Sequence, residues 1–146
     1  MATNMYKKYT ESLVREWPVP ADTQAGEIVQ NAVSDEVGVT LTARGDSTRA
    51  AGIPGVTGGT VPNGGVGNKP NCATVAVDGS WLFEVTGVAD GDTSAASGGG
   101  TANGTIVYLT GAGALTLTEG SNVAVAVIDD GVIVDGVAPI KIGAVL

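Results

Sequence analysis

The side chains that could do chemistry are few in this sequence, and their spacing argues against a reaction centre. No histidine occurs in the 146 residues, which removes the commonest general base and metal ligand and excludes Ser/His/Asp and Cys/His arrangements. Asp129 and Asp130 are adjacent, so on a strand they would face opposite ways rather than converge across a cleft. Asp90-Gly91-Asp92 begins like a calcium loop, but TSAASGGG follows, with no regular ligands and no closing Glu. Gly64-Gly65-Val66-Gly67-Asn68-Lys69 lacks the Lys-Ser/Thr ending and the helix of a phosphate-binding loop. Arg44-Gly45-Asp46 spells an integrin tripeptide and Asn103-Gly104-Thr105 a glycosylation sequon, both short enough to arise by chance. Cys72 is the single cysteine, with no internal disulfide partner, and reads as a small core residue. The expectation is a non-enzyme with no catalytic, cofactor-binding or metal-ligating residues.

The elements that must position any other site are β-strands. Gly accounts for 23 residues and aromatics for only 4%, and Val, Ala and Thr outnumber helix formers. This predicts a mostly β fold, a small β-sandwich or β-barrel-like domain with long Gly-rich loops and an N-terminal arm. The stretch 72–88, CATVAVDGSWLFEVTGV, predicts a hairpin about Asp78-Gly79-Ser80, with one strand interrupted by a bulge as the alternative. A three-residue loop pairs Val77 with Trp81, Val75 with Phe83 and Ala73 with Val85, putting large side chains on one face and Thr74 with Glu84 on the other. Trp81 and Phe83 then enter one core.

Elsewhere the sequence predicts strand-like pieces at Glu27–Val33 and Glu36–Ala43, a hairpin from Thr105–Thr110 and Leu115–Thr118, and a central, doubly covered strand at Asn122–Ile128. Turns follow at Asp129-Asp130-Gly131 and Asp135-Gly136 around Val132–Val134. A last strand runs over Pro139–Val145, with Ile140, Ile142 and Ala144 inward and Lys141 outward. Gly52–Asn71 and Asp90–Gly104 read as long loops, the second flexible. Glu119 and Asp129-Asp130 flank VAVAVI as gatekeepers against aggregation.

Residues 1–20 form a distinct N-terminal arm ahead of a single β-rich domain at 21–146. Met5, Tyr9, Leu13 and Trp17 recur every fourth residue, which suits a helix stripe, while Pro18 and Pro20 and the β-branched residues suit an extended arm. The arm reading is carried forward, with room for a short helix. Met5, Tyr6, Tyr9, Leu13 and Trp17 lie in a segment polar for a core strand, with basic residues nearby, and are the candidate anchors for a subunit or partner contact. Packing of the arm on its own sheet is the alternative.

The net charge is −8. Residues 70–140 carry Asp78, Glu84, Asp90, Asp92, Glu119, Asp129, Asp130 and Asp135 and no Lys or Arg, so the imbalance sits in that half. Such a surface repels phosphate backbones, and no nucleic acid partner is expected. No apolar run of about 18 residues exists to span a membrane, and the N-terminus lacks the apolar block of a secretory signal.

In order, ATVAVDGSWLFEV, GTIVYLTGAGALTLTEGSNVAVAVI and APIKIGAVL resemble the capsid decoration (cement, head-stabilising) proteins of tailed bacteriophages, over residues 72–146. The resemblance implies a structural virion protein on the outer capsid surface. It would be a homotrimer that clamps neighbouring subunits of the major capsid protein, without cofactors. The competing expectation is a surface adhesion or ligand-binding β module that uses loops 44–71 and 90–104.

Overall fold

The computed structural model describes residues 5–7, 14–50, 54, 60–63, 68–94 and 99–143, the strands at 5–7, 46–50 and 60–63 by backbone alone. The described residues are all β, with no helix. Their strands are β1 (Met5–Lys7), β2 (Val14–Pro18), β3 (Ile28–Gln30), β4 (Val37–Thr40), β5 (Asp46–Ala50), β6 (Thr60–Asn63), β7 (Cys72–Ala76), β8 (Gly79–Thr86), β9 (Gly91–Asp92), β10 (Ile106–Leu109), β11 (Leu115–Thr116), β12 (Val123–Ile128), β13 (Val132–Ile133) and β14 (Val137–Ile142). Contacts divide the chain into two compact units, one built on Leu13–Val77 and the other on Asp78–Leu146 with the Asn4–Ser12 segment that carries β1.

The first unit is an antiparallel sheet in the order β2-β7-β4-β3. β3 and β4, which lie within the two predicted strand-like pieces, pair antiparallel, with Ile28 opposite Val39. The connection between them is held by Asn31, whose Oδ1 accepts from the N–H of Val33 (2.8 Å) and of Ser34 (3.2 Å). The core gathers Trp17, Val19, Val29, Ala73, Val75 and Val77; fully burying each large apolar side chain contributes about 1.5–3 kcal/mol. Gly38 is required beneath them, because a Cβ there would strike the Val75 side chain and approach the Ala76 carbonyl oxygen to 2.7 Å. Two buried polar residues are matched in place. The Thr40 hydroxyl donates to the Gln24 carbonyl (2.6 Å) and accepts from the Glu27 N–H (3.0 Å). Asn68 bridges Thr42 (3.0 Å) and Thr74 (2.9 Å). Within the predicted Gly52–Asn71 loop, β6 is a strand and pairs antiparallel with β5, a correction to its reading as loop throughout.

The second unit is a closed barrel. Its strands run β8-β11-β10-β12-β14, and β14 pairs back to β8. β8 fills both its edges: β14 lies along Gly79–Glu84 on one side, while β1 and β11 share the other, at Ser80–Trp81 and Val85–Thr86. Closure removes the open edges that a flat sheet would expose. Val107, Val125, Ala126, Ile128, Ile140 and Ile142 are buried with Trp81, while Phe83 is only half-buried. β12 is central as expected, between β10 and β14, yet its first residue, Val123, is exposed. In β14, Ile140 and Ile142 face inward as predicted, Lys141 is half-buried, and Ala144 lies outside the described residues.

The predicted 72–88 hairpin does not form. β7 pairs with β2 and β4 in the first unit, and β8 with β1, β11 and β14 in the second. Gly79 takes φ +99 and already belongs to β8, so Asp78-Gly79 is a change of sheet rather than a turn. The β10–β11 hairpin does form, closed by Thr110 N–H to the Ala114 carbonyl (2.9 Å).

Candidate interaction surface

The acidic residues near the second unit's short strands are engaged in building loops. Asp90 accepts from the Asp135 N–H through one carboxylate oxygen (2.9 Å) and from the Gly136 N–H through the other (3.0 Å). One Asp92 oxygen receives both the N–H (2.9 Å) and the hydroxyl (2.6 Å) of Ser94. The calcium-like spelling of Asp90-Gly91-Asp92 is thus a pair of loop fasteners. No group of three or more His, Cys, Asp or Glu among the described residues is placed to hold a metal.

The described ends of the Asp90–Gly104 loop are anchored. β9 pairs with β13. Buried Thr93 donates its hydroxyl to the Asp129 carbonyl (2.9 Å) and accepts from the Gly131 N–H (2.8 Å). On the return leg, Gly99 bridges to Asp92, and a Cβ on Gly100 would lie 2.7 Å from the Asp92 carbonyl oxygen. Residues 95–98, including Ser97 and Gly98, lie outside the described residues.

Of the candidate contact residues, Met5 and Tyr6 lie on β1, so this part of the arm is extended. Tyr9 and Leu13 lie outside the described residues. Trp17 is a correction: it is 4% exposed, inside the core of the first unit, so its side chain does not stand out as an anchor. The polarity of the segment is misleading because Val14, Arg15, Glu16 and Pro18 are the outward residues, while Trp17 and Val19 turn in. That alternation in Trp17-Pro18-Val19 was the available signal. The Trp17 indole N–H has no hydrogen-bond partner.

Another surface stands out instead. Asp135 (φ +51) and Gly136 (φ +75) form a two-residue turn with both central residues left-handed, the geometry that suits the twist of a tight hairpin. Val134 and Val137 face each other across it and exchange backbone hydrogen bonds of 3.2 and 2.9 Å. Val132 lies two residues before Val134, on the same side. These three valines are 56%, 58% and 36% exposed. Val132 pairs with Asp92, and Val137 pairs with Glu84. Directly paired residues share a face, so a ridge of three valines runs between two exposed carboxylates. In the sequence these valines resemble a core strand; only the bracketing Asp-Gly turns hinted that the segment lies at an edge.

No protein-family model, curated protein or solved structure matches this chain.

Proposed function

We propose that this chain is a structural virion protein that binds the outer surface of an assembled phage capsid, as a homotrimer, and stabilises the shell by clamping neighbouring major capsid subunits. The observation that carries this reading is the valine ridge: apolar side chains held out to solvent on hydrogen-bonded strands and a locked turn, as a binding surface requires. The motif resemblance over 72–146 supplies the partner. A protein that binds only the assembled shell stabilises it by mass action, with no chemical step. Three linked copies raise the effective concentration of each weak contact.

The test is cosedimentation of the full chain with expanded, empty shells of the major capsid protein encoded alongside it. The expected result is saturable binding to expanded shells and a trimer by light scattering. Binding to bacterial cells with none to shells would replace this reading with the adhesion module.

A further inference from the structure

We infer that the ridge of Val132, Val134 and Val137, flanked by Asp92 and Glu84, docks a protein surface that offers an apolar contact set between Lys or Arg side chains. This rests on the proposed capsid-binding role and names the chemistry of the surface it meets. The register fixes the layout: Asp92 opposite Val132, Val134 opposite Val137, and Val137 opposite Glu84. Asp130 and Asp135 are also exposed on the turns that bracket these valines. Residues 70–140 supply eight carboxylates and no cation, so a surface that carries Lys or Arg complements this rim. A second copy docked ridge to ridge would set each carboxylate against its own kind, which disfavours self-association through this face. Phosphate-bearing partners are repelled for the same reason.

The ridge is also held in one shape. The Asp135-Gly136 turn is fastened to the Asp90 carboxylate, and β13 to β9, so little conformational freedom remains to be lost on docking. Three valines make a contact far smaller than the ~1,200–2,000 Å² of a stable pairwise interface. Docking through the ridge is therefore weak per copy, reinforced by several copies on one shell, and weakened by salt.

The experiment compares the full chain with two variants in shell cosedimentation across a salt series. One variant is Val134→Asp; the other combines Glu84→Lys with Asp92→Asn, which keeps an acceptor for Ser94. All these positions are exposed, and the thermal midpoint of each variant checks its fold. Val134→Asp is expected to lower shell affinity about tenfold or more. The charge variant is expected to bind more weakly and to lose most of the salt dependence. If the parent protein binds shells and both variants bind equally well, the ridge is not the docking face and the capsid reading stands alone. Stronger binding by the charge variant overturns the cationic partner. A change in self-association with Val134→Asp, at unchanged shell binding, assigns the ridge to a second copy and overturns the inference. A parent protein that leaves the shells bare overturns this inference and the capsid reading together.

Discussion

Each unit of this chain is built around one tryptophan, and the two are treated differently. Trp81 is fully buried in the barrel, and its indole N–H donates to the Asp78 carbonyl (3.1 Å). Trp17 is 4% exposed in the open sheet, and its indole N–H is buried without an acceptor. Trp81 sits on β8, which is paired along both edges; Trp17 sits on β2, whose sheet partner is β7. The barrel thus holds its large residue by packing and by a matched indole donor, although the buried Ser80 hydroxyl beside it has no partner. The sheet unit holds its own by shape, above a glycine that has no room for a methyl group, and leaves one donor unmatched.

Truncating the tryptophans tests that contrast most severely. Trp81→Ala should destabilise its unit by about 3–5 kcal/mol. Trp17→Ala should fall at the lower end of that range, since it also removes an orphaned donor. With only two tryptophans in the chain, the indole left in each variant reports on the other unit, so far-UV circular dichroism through urea unfolding measures the loss. Gly38→Ala, read by the same unfolding, should cost about 1–3 kcal/mol, because the added methyl meets the Val75 side chain and the Ala76 backbone. An unchanged midpoint would remove the claim that shape holds the sheet unit. The Phe substitutions sharpen the comparison. Trp81→Phe should cost about 1 kcal/mol more than Trp17→Phe, the net worth of one hydrogen bond, and equal costs would erase the distinction. The smallest effect expected is at Gly136→Ala, about 1 kcal/mol by thermal unfolding, from the left-handed backbone alone. Nothing lies within 4 Å of the added Cβ.

What could be read from the residues depended on how local the pairing is. The β10–β11 pair and the Asp135-Gly136 turn join neighbours in sequence, so turn chemistry and alternation sufficed to place them, as they did for the strands β3 and β4 though not for their pairing. The 72–88 stretch misled for a physical reason. Its alternation satisfies a local hairpin, but β14 offers β8 six paired residues and β2 offers β7 five, and these distant partners prevail. The parallel β8–β11 pairing has no local signature at all. Trp17 was misplaced because its neighbours are charged, and the valine ridge had no reading because exposed and buried valines have the same spelling. The acidic residues were legible as charge, but their work as fasteners for loop amides depends on a fold that brings Asp90 to Asp135.

The double-edged pairing of β8 also sets a schedule. Met5 must find Trp81, and Ile142 must find Gly79, so this one strand cannot be completed by chain that lies near it. Loop closure over such spans must precede the contacts that reward it, which places barrel assembly among slow, high-contact-order reactions, in milliseconds to seconds. Until both flanks arrive, β8 exposes bare backbone next to Trp81 and Phe83. The absence of any base from 70–140 then serves the nascent molecule as well as the finished one, by keeping half-built barrels of like charge apart.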